Sequence, residues 1–391
     1  MEDRRLHALV LPPGPRLLQA LEAALDGTGP AICPLPPGTP APALRATLDA
    51  LAPHAVETPD GTTPHHPGPG APPPTPVHPD TAVLIATSGS TGTPKFVELP
   101  TRALHASANA THHRIGATTT DRWLCCLPTS HIAGVQVLVR ALLNGTTPHI
   151  HPRFDPARIA ATDATLISLV PTQLRRLLDT GTDLTRYRAI LLGGAAAPQD
   201  LLEKARADGA TVHTTYGMSE TCGGCAYDGL PLDGVTLGLT PDGRVRIAGP
   251  VLFTGYRLNP TLTTQARDGH WYLTQDLGTL DNGRLRIRGR IDDIINTGGE
   301  KVVAGDVATR LTRHPRVADA VVIGRPDPEW GERVTAVIVP DGPTPTLDDL
   351  RAWVRETMPA HAAPRELDVR TAIPLLPSGK PDRAALRRPA P

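Results

Sequence analysis

The chain predicts an α/β protein: a large N-terminal domain with mostly parallel sheets and a β-rich subdomain, then a small α+β C-terminal domain. Three observations carry this reading. From Thr81 onward, short apolar runs alternate with helix-length segments, the pattern of strands joined by crossover helices. From about residue 233 to 289 the texture changes to short strands punctuated by turns, GRVRIAG, WYLTQDLG and GRLRIRG. Beyond it, VVAGDVATRLTRHP, VADAVVIG, RVTAVIVP, TLDDLRAWVRETM and RELDVR again alternate strand and helix, over a length sufficient for a separate domain. The division falls in GRIDDIINTGG, charged and then glycine-rich, giving an N-terminal domain at 1–289 and a C-terminal domain at 290–391.

Apolar spacing predicts amphipathic helices at 14–26 and 42–52. The stretch 58–79, TPDGTTPHHPGPGAPPPTPVHP, is so rich in proline and glycine that it reads as a mobile extended connector without helix or sheet. His65 and His66 within it are expected to be solvated. Strands are expected at 82–86, 123–127, 165–170, 189–193 and 211–215, with helices at 101–113, 133–143, 171–179 and 198–208. Parallel sheets bind ligands beyond the carboxyl ends of their strands. The chemically informative segments follow residues 86, 127, 193 and 215, which are such ends.

Lys+Arg and Asp+Glu both number 39, so charge gives no case for nucleic acid or anionic membrane as a partner. No apolar run reaches spanning length, and the N-terminal one is too short for a signal sequence. A cytoplasmic location is the expectation. The five cysteines are an odd number, which fits a reducing compartment. Cys125 and Cys126 read as small buried hydrophobes in an apolar strand. Cys222 and Cys225 have C-x-x-C spacing but no second pair, so metal or redox chemistry is the minor reading there. A homodimer is compatible with the sequence, which does not reveal the oligomeric state.

The strand at 82–86 runs into Thr87-Ser88-Gly89-Ser90-Thr91-Gly92-Thr93, closed by Pro94-Lys95. Hydroxyls, glycine amides and one ammonium can wrap closely around a phosphate chain. The spacing is not that of a Walker A loop, because only Ser90 and Thr91 separate Gly89 from Gly92. Lysine is scarce: of the 39 basic residues only four are lysines. Lys204 lies in an amphipathic helix, whereas Lys95, Lys301 and Lys380 sit in TGTPK, TGGEK and PSGK, where a compact point charge has a use. Glu220, at a strand end, is a plausible oxygen ligand for Mg²⁺, shared with Thr91. Arg140 lies inside the apolar run VQVLVRALL, where a buried arginine calls for an anionic partner; a protein carboxylate or a surface position is the competing reading.

TSGSTGTPK, PTSHIAGVQVLVR, YGMSET, WYLTQDLG, GRIDDIINTGGEKV and PSGKPDR, in that order, resemble the core motifs of the acyl-adenylate-forming superfamily. Within it, HIAGVQVLVRALLNGT, LVPTQLRRLLD, LLGGAAAP and TYGMSETCGGCAYDGLPLDGV are most similar to the o-succinylbenzoate–CoA ligases of menaquinone biosynthesis. The resemblance implies ATP, Mg²⁺ and CoA, a small carboxylic acid substrate and a mobile C-terminal domain. It implies that Thr87, Ser88, Gly89, Ser90, Thr91, Gly92 and Lys95 hold phosphates. Gly193, Gly194 and Ala195 would line the purine, Tyr216 would pack on it, and Gly217, Met218 and Ser219 would complete the wall with Glu220. Asp276 would accept the ribose hydroxyls, with Arg290 beside the ribose or phosphates. Lys380 would bridge the acid and the α-phosphate, while His131 would stand at the mouth where the CoA thiol enters. His131, Arg140, Gly194 and Gly217 would face the acid, and Arg140 would hold its second carboxylate. Asp292 would be the hinge, and Gly298, Gly299 and Lys301 would shape the CoA channel. Another acyl-CoA synthetase, or an adenylation enzyme that loads a carrier protein, shares most of these motifs. A non-catalytic adenylate-binding module does not need Lys95, Glu220, Asp276 and Lys380 together.

Overall fold

The computed structural model describes residues 3–87, 94–375 and 381–387. They fall into two compact units, one of residues up to Thr236 with Ala248–Tyr272, the other of Leu237–Ile247 with Leu273 onward.

Two mixed sheets build the first unit. One contains β1 (Leu6–Leu9), β2 (Ala31–Pro34), β3 (Ala55–Thr58), β4 (Gly61–Pro64), β5 (Thr81–Thr87) and β6 (Lys95–Pro100). Its order is β6-β5-β2-β1-β3-β4, with the short strand Gly255–Tyr256 on the outer edge of β6. The apolar run of β5 is buried on both faces, as a central strand requires. β5 and β6 form an antiparallel hairpin whose register sets Thr87 opposite Lys95. The other sheet contains β7 (Trp123–Cys125), β8 (His149–Ile150), β9 (Leu166–Leu169), β10 (Ala189–Leu192), β11 (Val212–Met218), β12 (Gly223–Tyr227) and β13 (Leu230–Pro231). The strands β8-β7-β9-β10-β11 are parallel, and β11-β12-β13 is antiparallel. Leu124, Ile167, Leu169, Ile190 and Leu192 pack there against Leu174, Leu177, Leu201 and Leu202 of the flanking helices. The helices are α1 (Pro15–Leu25), α2 (Ala41–Leu51), α3 (Thr101–Ile115), α4 (Ile132–Leu143), α5 (Pro156–Ala161), α6 (Pro171–Asp179) and α7 (Gln199–Ala207); all but the short α5 fall where the sequence predicts them. Among the described residues no helix is long and apolar enough to cross a membrane.

The proline-rich stretch corrects the sequence expectation. Gly61–Pro64 is a strand, paired with β3, and Val77 bridges Arg4. Proline cannot donate, so the segment is held through the amides it retains, those of His65, Gly68, Thr75 and Val77, and through the carbonyls of Thr75, Pro76 and Val77. The buried guanidinium of Arg257 donates to the carbonyls of Leu51, Ala52 (3.1 Å), Thr75 and Pro76 (3.4 Å), and lies 3.6 Å from Glu98. His65 is buried as well, 3.6 Å from Asp49, rather than solvated, whereas His66 is exposed. Replacing Arg257 by methionine leaves Glu98 and several carbonyls uncompensated. The expected loss is about 3–5 kcal/mol in urea unfolding, partly recovered when Glu98→Gln is added.

In the second unit Asp276–Asp281, the later part of the strand Trp271–Asp281, pairs with Arg284–Arg290, with a bulge at Leu277/Gly278, so that Asp276 faces Arg290. The C-terminal sheet has the order Glu300–Val303, Ile294–Thr297, Gly331–Pro340, Val317–Asp327. Glu366–Val369 adds parallel to Gly331–Pro340. Helices Ala304–Leu311 and Leu347–Arg355 cover it through Val307, Leu311, Leu350 and Val354. This is the α+β texture the sequence predicts.

Candidate active site

The turn after β11 positions the site's carboxylate. Met218 is followed by a single 3-10 turn, Ser219–Thr221, and the chain returns as β12. Thr221 Oγ1 accepts from the Met218 amide (2.9 Å) and donates to the Gly223 carbonyl (2.7 Å), closing the turn from within. Gly217 sits at the bulge, where a Cβ would come within 1.9 Å of the Gly223 oxygen. Only glycine lets the two strands cross that closely.

Glu220 is thereby buried, at 5% exposure. Lys95, the first residue of β6, places its ammonium 3.4 Å from Glu220 Oε1. The Tyr256 hydroxyl donates to the same oxygen at 2.8 Å. The Lys95 ammonium also lies 4.8 Å from the centroid of the Tyr256 ring. Burial, then the Glu220 charge, pushes the Tyr256 phenol up from its ordinary value, so it stays a donor. Tyr272, also raised by burial, is hydrogen-bonded to Tyr256. Phe253 packs against both rings, at 5.0 and 5.3 Å. Glu220 Oε2 has no protein donor among the described residues. Tyr256, Tyr272 and Phe253 escaped the sequence reading, because nothing in a short TGY strand announces a partner 36 residues away.

At the neighbouring strand end, β10 ends at Leu192, opposite Thr214 of β11. This brings Gly193, Gly194 and Ala195 alongside half-buried Tyr216. A Cβ on Gly193 would lie 2.3 Å from Thr215 Oγ1, and Gly194 adopts φ +84° with its backbone exposed. Thr87 ends β5 and donates to the Lys95 carbonyl at 3.2 Å. Ser88, Gly89, Ser90, Thr91, Gly92 and Lys380 lie outside the described residues.

His131 caps α4 with extended backbone, and its own amide donates to the Pro128 carbonyl at 3.1 Å. Ile132, Gln136 and Arg140 follow on one helical face. Gly223 of β12 lies against Ile132 and Gln136, so this face leads inward from the Glu220 turn. At its far end Arg140 is 4% exposed, with its guanidinium over the Trp123 ring at 5.3 Å. Among the described residues no carboxylate pairs with it, and its Nε has no partner. Burial lowers its basicity. His112 is driven down to about 4 by burial and then by Arg140, so it is neutral there. Gln136 Oε1, His112 Nε2 and Trp123 Nε1 are likewise buried without partners. Cys125 and Cys126 are buried, as expected, and so are Cys222 and Cys225.

In the second unit Arg290 binds Asp292 through Nε (2.8 Å) and Nη2 (3.0 Å), and reaches Asp276 through Nη1 (3.4 Å). Burial opposes the Asp292 charge, but the Arg290 hydrogen bonds outweigh it and hold the carboxyl below its ordinary value. Gly298 and Gly299 form the turn between Ile294–Thr297 and Glu300–Val303, at φ +60° and +82°, with Trp330 packed on Gly298. Lys301 is exposed.

Mixed sheets with a lysine–carboxylate pair at their strand ends, together with a small α+β C-terminal domain, define an acyl-adenylate-forming enzyme. The model of the AMP-binding enzyme family matches residues 29–255, and that of the AMP-binding enzyme C-terminal domain matches 306–380. The chain belongs to the AMP-binding enzyme family. It is 43% identical over 326 residues to a probable 2-succinylbenzoate–CoA ligase of Mycobacterium tuberculosis, covering 79% of this chain and 84% of that protein. Among solved structures it is similar to o-succinylbenzoate CoA synthetase (MenE) from Bacillus subtilis in complex with the acyl-adenylate OSB-AMP. That match has a TM-score of 0.84 and 27% identity over 100% of this chain and 89% of the other. The same enzyme in complex with ATP and magnesium ion matches with a TM-score of 0.83 and 26% identity, over 99% and 90%.

Proposed function

We propose that the chain is an AMP-forming acid–CoA ligase whose acid is o-succinylbenzoate. In the first half-reaction an acid oxygen attacks the α-phosphorus of ATP, and pyrophosphate leaves. In the second, the CoA sulfur attacks the acyl carbonyl, and AMP leaves. The observation that carries the choice of acid is Arg140: a buried guanidinium, with no carboxylate beside it among the described residues, at the end of a helical face leading in from the Glu220 turn. An aromatic acid with a second carboxylate supplies the missing charge, and the Trp123 ring offers it an apolar wall.

Lys95 supplies positive charge where pyrophosphate develops, with the Thr87–Gly92 stretch donating hydrogen bonds to it. Gly193, Gly194 and Ala195 leave the purine room to lie flat beside Tyr216, with Gly217, Met218 and Ser219 as its further wall. Asp276 takes the ribose hydroxyls, with Arg290 beside it. A divalent cation fits Oε2 of Glu220, a hard oxygen that takes no donor among the described residues, with the Thr91 hydroxyl as a second protein ligand. When bound, it would neutralise phosphate charge. His131 orients the incoming thiol. The part from 290 to 391 turns about Asp292 between the half-reactions, bringing first Lys380 and then the Gly298, Gly299 and Lys301 segment to the acyl group. The Arg290–Asp292 pair is the contact such a turn must break or carry with it.

The test is ATP–pyrophosphate exchange with o-succinylbenzoate, benzoate and a fatty acid, followed by mass detection of the thioester. Exchange is expected with o-succinylbenzoate at least about a hundredfold above benzoate, since two lost charge-assisted hydrogen bonds are worth that much. Equal exchange with benzoate overturns the assignment of the acid. Thioester on a phosphopantetheine carrier and none on CoA overturns that of the acceptor.

A further inference from the structure

We infer that Tyr256 is a positioning residue for Glu220, fixing which of its two carboxylate oxygens faces the metal–nucleotide. This rests on the reading of Glu220 as a cation ligand.

A glutamate carboxylate turns easily about its last bond, and its two oxygens are chemically equivalent until something distinguishes them. Here both donors choose the same one. Tyr256 gives Oε1 a 2.8 Å hydrogen bond and Lys95 lies 3.4 Å from it, while Oε2 takes no protein donor among the described residues. The Tyr256 hydroxyl is in turn backed by Tyr272, and Phe253 fixes both rings from the side. A chain of hydroxyls ending on a carboxylate polarises in one direction, from Tyr272 through Tyr256 to Glu220. The Phe253 amide also donates to the Glu220 carbonyl at 2.9 Å, tying the same segment to the main chain of the turn. The Tyr256 ring meanwhile lies under the Lys95 ammonium, so one side chain sets both charged groups of the site. The device suits a cation held by one protein oxygen. A carboxylate free to rotate would offer either oxygen, and would close on Lys95 as a stronger ion pair.

The probe is Mn²⁺ with ATP on the full chain, read by electron paramagnetic resonance, alongside steady-state kinetics in Mg²⁺. Tyr256→Phe keeps the ring and removes only the hydroxyl. It is expected to weaken Mn²⁺ binding in the presence of ATP about tenfold, the effect of one hydrogen bond to a charged group. The KM for Mg²⁺ should rise in parallel, while kcat at saturating metal and the thermal midpoint change little. Tyr256→Leu removes the ring too and should raise the KM for ATP in addition, through Lys95. Glu220→Gln separates the two readings. If it leaves Mn²⁺ binding unaltered, Glu220 is no metal ligand and the underlying assignment fails. If Glu220→Gln weakens Mn²⁺ binding but Tyr256→Phe does not, positioning by Tyr256 is overturned. A Tyr256→Phe protein that loses thermal stability with unchanged metal affinity also overturns it, since the hydroxyl then serves packing alone.

Discussion

Replacement of Lys380 by alanine is expected to slow acyl-adenylate formation by about 10²–10³-fold, the usual effect of removing one preorganised donor from a developing charge. Thioester formation from supplied acyl-adenylate should be nearly unaffected. Before adenylation the acid and the α-phosphate are both anionic, and bringing them together costs energy unless a cation stands between them. A compact ammonium on a flexible stem can reach both at once; an arginine fork suits a flat bidentate partner instead. In a chain that uses arginine for nearly all its positive charge, a lysine in PSGKPDR is more than solubility requires. Once the acyl-adenylate exists the two charges have merged, so the thiol step no longer needs the bridge. Rapid-quench measurement of each half-reaction separates the outcomes. Equal loss of both overturns the assignment of Lys380 to the first step alone.

The second large effect is expected at Arg140. Arg140→Met keeps the length and the apolar stem, and should lower kcat/KM for o-succinylbenzoate by about 10²-fold or more, as two charge-assisted hydrogen bonds worth about 1.5–3 kcal/mol each are lost. Activity with benzoate, which has no second carboxylate, should stay level or rise. Because Arg140 is buried with no counter-charge among the described residues, removing it also removes a desolvation cost, so the thermal midpoint should not fall. A lowered midpoint with equal loss on both acids would mean that Arg140 serves the fold through Trp123. The single variant has a second readout in His112. His112, held neutral by burial and by Arg140, should regain a higher pKa once the guanidinium is gone, visible by NMR titration.

Much of this architecture is legible in the chain, for a physical reason. Central strands such as Thr81–Thr87 and Leu166–Leu169 are covered on both faces and therefore read as unbroken apolar runs, while the connecting helices carry their own period. The placing of Lys95, Glu220 and the Gly193–Ala195 turn follows from those strand ends. Arg140 is similar: an arginine inside VQVLVRALL announces its burial, although the missing carboxylate shows only in three dimensions. What escaped is whatever depends on a partner far along the chain. Tyr256 meets Glu220 across 36 residues through a single hydroxyl, with no periodicity to betray it. His65 and the proline-rich stretch misled because composition speaks of a segment's own tendency to fold, whereas their order is imposed by partners elsewhere in the chain, Arg4, Asp49, Ala52, His54 and Arg257.

Tyr256 and Arg257 are successive residues, and alternation sends their side chains to opposite sides. The first attends to the carboxylate; the second clasps the proline-rich stretch by its carbonyls. Carbonyls are common to every amino acid, so this clasp is blind to side-chain identity. Side chains at Thr75 and Pro76 can therefore change without loosening the clasp, but proline is excluded at His65, Gly68, Thr75 and Val77, whose amides donate, and the length and path of the stretch stay under selection. Insertions there should be far less tolerated than its low complexity suggests.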